Sequence, residues 1–119
     1  MALRLQLVTL VATLSLACHA APDDPLTRAR TSEELRAAAS LVVSPGMTAD
    51  SSRAVLEQHG FACRLEINAS YDGRHHLDYV HCNRSTRPSF IITHSSQVAL
   101  VIVNGRVSEI LAKTGLIGP

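Results

Sequence analysis

The chain has 119 residues, with 11 basic and 10 acidic side chains and a formal net charge of +1, a balance that excludes a whole-molecule field for nucleic acid or anionic membrane. With no tryptophan, two tyrosines and two phenylalanines, it lacks the platforms on which single-stranded nucleic acid stacks. Its length provides one small domain once a leader is set aside.

Arg4 is the only charge in residues 1–21, and residues 5–17 form an apolar run too short to span a bilayer and suited to the core of a signal peptide. Residues 1–17 are therefore read as a leader. Leu14-Ser15-Leu16-Ala17-Cys18 resembles the lipobox of bacterial lipoproteins, in which a small residue precedes a cysteine that is acylated and becomes the mature N-terminus. Cleavage after Ala20, with Cys18 and Ala20 as the small residues, is the alternative. If Cys18 carries lipid, two of the three cysteines remain, and Cys63 with Cys82 makes one pair in an oxidising compartment. In lipoproteins of this type an aspartate after the acylated cysteine tends to hold the protein at the inner membrane. Here that position is His19, so the expected address is the outer membrane, facing the periplasm.

Residues 18–30 contain Pro22, Asp23, Asp24 and Pro25 with little apolar content and read as a flexible tether. A single domain is expected over residues 31–119. Thr31-Ser32-Glu33-Glu34 fits a capping box, and Leu35, Ala38, Ala39 and Val42 follow at helical spacing. Pro45 and Gly46 break the chain. Thr48 then caps a second helix from Ala49 to about His59, with Val55 and Leu56 inward and Gly60 placed to take the left-handed conformation that stops it.

From Phe61 the period changes to two: Phe61, Cys63, Leu65, Ile67 and Ala69 alternate with polar residues and mark the inner face of a half-buried strand. Asp72-Gly73 is a two-residue hairpin signal, and His76 to Cys82 is the returning strand. With that turn, partners have numbers summing to 145, which sets Cys63 opposite Cys82 in a pair of the wide, hydrogen-bonded type. The same register points Asp78 to the face of Ile67. A bulge near Asp78, or a longer loop from Tyr71 to Arg74, relieves this and turns Leu77 and Tyr79 inward. Residues 83–89 read as a polar turn, Phe90, Ile91 and Ile92 as apolar, and residues 94–97 as a polar link. Val98 to Val103 reads as a central strand, Asn104-Gly105 as a second hairpin turn, Arg106 to about Ala112 as the last strand, and the tail from Lys113 as loose.

The cysteine pair lacks the C-x-x-C spacing of redox and metal sites, which points to a structural disulfide. Of the histidines at 59, 75, 76, 81 and 94, alternation puts His76 and Asp78 on one face beside His75, two ligands where zinc needs at least three. His94-Ser95-Ser96 is adjacent in sequence, but adjacency builds no triad, and no nucleophile elbow or H-E-x-x-H is present. No catalytic residue, metal or cofactor is expected.

Gly46-Met47-Thr48, Val55, Gly60, Cys63, Cys82 and the hairpin from Val98 to Ile110 resemble the fold shared by the SmpA/OmlA small outer-membrane lipoproteins and the β-lactamase inhibitor protein. The resemblance covers roughly Ser32 to Leu111. It implies an α+β fold with two short helices on one face of a three- to four-stranded antiparallel sheet. The chain departs from the inhibitor in having one domain where that protein has two, and in lacking its gripping aromatics. The expected function is non-catalytic binding of an envelope protein at the outer membrane, with an inhibitor or immunity lipoprotein that blocks an enzyme or toxin as the rival and metal carriage by the histidine-rich hairpin as a third reading. The expected partner surface is the sheet face away from the helices with Arg84, Arg87, His94 and Gln97.

Overall fold

The computed structural model describes residues 24–86 and 93–117. In chain order these form α1 (Pro25–Arg28), α2 (Ser32–Val42), α3 (Ala49–Gln58), β1 (Ala62–Tyr71), β2 (Arg74–Thr86), β3 (Thr93–Val103) and β4 (Arg106–Ile117). The strands make one antiparallel sheet in the order β1-β2-β3-β4. The class is α+β, as expected, with three helices among the described residues rather than two. Cys18 and Arg87, expected as lipidation and partner-surface residues, lie outside the described residues, as do Phe90 to Ile92.

The helices form where their caps dictate. Thr31 Oγ1 accepts from Glu34 N at 3.1 Å, while the Glu34 carboxylate accepts from Arg30 N at 2.9 Å, one residue before the position of a standard capping box. Thr48 Oγ1 accepts from Ser51 N at 3.2 Å, and Asp50 sits in the first turn, where the helix dipole favours negative charge. At the other end of α3, Gly60 has φ +86°, Gly60 N donates to Glu57 O and Phe61 N donates to Leu56 O, the paired bonds of a Schellman stop. Phe61 and Leu56 are both buried, which supplies the apolar contact that accompanies this motif.

The core joins Leu26, Leu35, Ala39, Val43, Leu56 and Phe61 with Val80, Cys82, Val98, Leu100, Val107 and Ile110. Register explains the strand contribution: Val80, Leu100 and Ile110 are successive cross-strand partners, as are Cys82, Val98 and Ala112. Leu26 is 1% exposed and Ala29 is also buried, so residues 25–30 belong to the folded domain and not to a tether. The proline-aspartate composition that suggested a tether is a helix start: the Asp24 carboxylate accepts from Leu26 N, and Pro25 occupies the first turn, where its missing N–H costs nothing.

Cys63 and Cys82 are bonded, with Cα atoms 4.0 Å apart. The pair is of the close type rather than the wide type expected from the turn. Two irregularities account for this. Register shifts between Glu66 and Ala69 and again between Ala69 and Tyr71, with Asn68 (φ 49°) on β1 and His76 (φ 58°) on β2 in left-handed conformations. The first bulge places an extra residue on β1 and the second an extra residue on β2, so the partner sum passes from 145 to 146 and back, and Cys63 still meets Cys82. The bulge expected near Asp78 is thus present, on the facing strand: the Asp78 carboxylate accepts from Asn68 N at 2.9 Å.

Three further expectations are corrected. Leu65 and Ile67 are 51% and 62% exposed, because β1 is an edge strand and α3, only ten residues long, packs against the sheet near Cys63 without extending over them. Residues 83–86 and 94–97 are not loops; they extend β2 and β3, pairing Asn83 with Gln97 and Ser85 with Ser95. The tail is paired through Ile117, with Lys113 opposite Gln97 and Gly115 opposite Ser95. These polar rows lie past the apolar core, with Ser96 buried among them, and the backbone ladder continues through them.

Leu26→Ala is expected to lower unfolding free energy by about 2–4 kcal/mol, as for other buried leucines, whereas a tether residue would leave the urea midpoint unmoved. Replacing Cys63 and Cys82 together by alanine is expected to remove about 3 kcal/mol, the chain-entropy value for a crosslink of this span, read from the same urea curves.

Candidate functional site

Two constellations gather the polar side chains that the sequence scatters. The first lies where the chain enters the domain. Arg84 on β2 is half-buried and donates from Nη1 to His59 O at 2.8 Å and from Nη2 to Leu26 O at 2.7 Å, with its guanidinium carbon 4.7 Å from the centroid of the Phe61 ring. His59 Nδ1 stands 2.6 Å from Asp24 Oδ2. One carboxylate therefore both caps α1 and pairs with the last residue of the α3 turn. Burial holds the Arg84 pKa below its usual value, and the charge of Asp24 opposes that shift. Arg84, expected at a partner surface, instead fastens α1 to the end of α3. Its long side chain reads from sequence as surface charge; nothing local signals the 58-residue reach to Leu26.

The second constellation lies on the face of Tyr79 and His81. These side chains, with Ala99 and Val101, are at most 7% exposed. Cover comes from the hairpin tip, which the two bulges curl across the sheet. Tyr71 stacks at 5.4 Å from Tyr79 and 5.9 Å from His81 between ring centroids, and Tyr79 Oη donates to Ser70 O at 3.0 Å. The curl carries Arg74 to Glu109 on β4, with a 2.8 Å contact, and Asp72 to within 3.8 Å of Lys113. Sequence reasoning placed neither Tyr71 nor His81 in any site. The signal available in the sequence was the presence of Asn68, Asp72 and Gly73, residue types that tolerate the left-handed conformation and take it here.

Tyr71 Oη and His81 Nδ1 are buried without a hydrogen-bond partner among the described residues. Burial raises the Tyr71 pKa, helped by Asp72 and Tyr79. Burial lowers the His81 pKa; the Gln97 bond opposes this, Arg64 adds to it and Glu66 works against it. The two shifts move apart, so the phenol stays protonated and the imidazole neutral across the physiological range. The pair offers a donor and an acceptor rather than a shared proton.

The remaining candidates fall outside both groups. His94 and Gln97 are half-buried on β3, Gln97 Oε1 lying 3.5 Å from His81 Nε2. His94 shares a shallow depression of about 400 Å³ with Arg30, Thr114 and Gly115. The ring of His75 contacts Ser70 Oγ and that of His76 contacts Asn68 Oδ1, at 2.8 and 2.9 Å. Both histidines therefore serve the bulged hairpin. Among the described residues no three His, Cys, Asp or Glu side chains converge, and no helix is long and apolar enough to cross a membrane.

Gly46, Met47 and Thr48 have a structural task. Gly46 N donates to Val107 O at 2.7 Å, Val107 N to Met47 O at 2.8 Å and Ala49 N to Gly105 O at 3.0 Å, so this segment pairs along the outer edge of β4. Gly46 takes φ +96° to make the turn, and Arg106 Nη1 donates to its carbonyl. Comparison with protein-family models, curated proteins and solved structures returned no match to this chain.

The His81 shift carries a sign. Because the folded state holds this imidazole below its ordinary value, the unfolded chain takes up a proton first, and stability present above about pH 6.5 is lost as pH falls. His81→Phe is expected to flatten the stability profile below that pH by up to about 1.4 kcal/mol per pH unit, the limit for one proton. Urea unfolding of both proteins at a series of pH values reads the difference in slope.

Proposed function

We propose that this chain is a lipid-anchored envelope protein whose domain binds another envelope protein without catalysis, at the periplasmic face of the outer membrane, with Cys18 as the anchor. The supporting observation is that the chain is already folded at Asp24. Asp24 caps α1 and Leu26 is buried in the core, so no more than five residues lie between the acylated cysteine and the fold. That stretch reaches at most about 20 Å, roughly half the reach of a tether through Arg30. A domain held so closely meets membrane partners at high effective concentration, and a modest interface suffices.

The helices are read as a layer on the face of Val80, Cys82, Val98 and Leu100, since these share a cluster with Leu35 and Leu56. On the opposite face the hairpin tip covers the end at Tyr79, which leaves the polar row of Asn83, Gln97 and exposed Lys113, with Ser85 and Ser95 beyond it, as the contact surface. The resemblance to SmpA/OmlA lipoproteins supports an assembly accessory. A disulfide directly after the helix-stop Gly60 is closer to the inhibitor branch and keeps an enzyme- or toxin-blocking role as the second reading.

Affinity capture of the full lipidated chain is expected to recover outer-membrane machinery, and Lys113→Glu with Gln97→Arg to abolish that capture while leaving the unfolding free energy from urea curves within about 0.5 kcal/mol of wild type. Recovery of a soluble enzyme or toxin instead selects the inhibitor reading. A mature N-terminus at Ala21, found by mass spectrometry, refutes the anchor.

A further inference from the structure

The two edges of the sheet differ. Along β4 the outer edge is occupied: Gly46, Met47 and Ala49 bond its beginning, and Ser32 Oγ accepts from Thr114 N at 3.1 Å near its end. Along β1 no strand is paired among the described residues. One side chain reaches that edge, Arg53 Nη2 donating to Cys63 O at 2.8 Å. This bond fixes the phase of the ladder. Cys63 sits in a close pair with Cys82, so its N–H and C=O point away from β2, and Arg53 meets that carbonyl from outside. Two residues on, Leu65 stands opposite Val80 in the same phase and directs its own N–H and C=O outward. Beside this bare backbone lie the exposed side chains of Leu65 and Ile67.

Charge on an edge strand commonly guards it against pairing, and Arg64 and Glu66 are exposed enough to do so. Their order gives them a second property. An antiparallel copy of β1 turned about a two-fold axis at Leu65 sets Arg64 opposite Glu66 of the second copy and Glu66 opposite its Arg64. Leu65 then meets Leu65, and Ile67 meets Cys63. Arg64 and Glu66 already pair within one strand, so the exchange keeps every charge partnered, while a strand of any other charge order leaves at least one of them unmatched.

We propose that the chain forms a two-fold dimer by antiparallel pairing of β1 with β1 of a second copy, centred on Leu65. In this arrangement the Leu65 N–H and C=O of each copy bond to those of the other, and the four-stranded sheet continues into an eight-stranded one. On one face the two Leu65 and two Ile67 side chains bury one another; on the other face the two Arg64–Glu66 pairs lie across the axis. The β4 edge is less open, because residues 46–49 bond its beginning and Ser32 takes the Thr114 N–H near its end. The inference rests on the edge alone and is independent of the lipid anchor and of any envelope partner.

Leu65→Cys tests the axis directly. Residues on a two-fold axis within a hydrogen-bonded pair are about 5.5 Å apart at Cα, within disulfide range. The full chain carrying this change, made in an oxidising envelope, is expected to run as a crosslinked dimer on a non-reducing gel. Peptide mapping should show the new bond between two copies of residue 65, with Cys63 and Cys82 still joined. Ala54→Cys, exposed on α3, should crosslink at least about tenfold less. Adding Arg64→Glu to Leu65→Cys sets like charges opposite each other and should cut the dimer about tenfold, and further adding Glu66→Arg should restore it. Crosslinking at residue 65 no greater than at residue 54, or insensitive to Arg64→Glu, overturns the proposal. So does wild-type full chain sedimenting as a monomer in detergent at every concentration, a measurement that needs no variant to fold.

Discussion

Arg84 is the side chain on which the arrangement of the layers depends. It lies at the point where β2 leaves the core, and its two terminal nitrogens bond carbonyls of α1 and of the α3 stop while its flat face covers Phe61. A guanidinium suits this position because it has donors in a rigid fork and remains charged despite burial, which an ammonium would do less readily. The cost of removing it from water is offset by two carbonyls, an aromatic face and the field of Asp24. Without it Leu26 would have no fixed path into the core, since a four-residue helix has little stability of its own.

The disulfide and the bulges solve a different problem. A hairpin of plain two-residue register would extend past the sheet as a flat ribbon with an aspartate on its inner face. Two bulges of opposite sense bend it and return the register to where it began, so Cys63 still meets Cys82, in a close pair rather than a wide one. The bend turns Tyr71 over His81 and brings Arg74 and Asp72 to β4. The face of Tyr79 and His81 acquires cover from the same chain, at the expense of two polar atoms, Tyr71 Oη and His81 Nδ1, left without partners among the described residues.

Local signals in the sequence were read well, and signals requiring distance were not. Thr31, Thr48, Gly60, Asp72-Gly73 and Asn104-Gly105 each act on residues within five positions, and each cap, stop and turn stands where its chemistry puts it. The cysteine pairing was legible because the two bulges cancel and leave the partners that the turn sets. The strand ends failed because apolar alternation reports burial rather than backbone pairing, and beyond the core the two part company. Leu65 and Ile67 failed for the same reason reversed: their alternation is genuine, but it records a face that the described residues leave exposed. Arg84, His59 and Asp24 were not legible together at all, since each looks like an ordinary surface charge until three segments meet.

Gly46-Met47-Thr48 shows how a recognisable motif can be silent about function yet still shape it. Its glycine conformation, its cap and its backbone bonds to Val107 and Gly105 close one edge of the sheet. An open four-stranded sheet has two such edges, and exposed edges invite pairing with other chains. By occupying the beginning of the β4 edge with its own backbone, the chain leaves β1 as the more open edge, where Cys63 is tied to Cys82 and Arg53 donates to the Cys63 carbonyl. The residues that most resemble a site therefore act by exclusion, and the edge left open is a strand whose charges change sign across Leu65, so that a reversed copy of the same strand complements them.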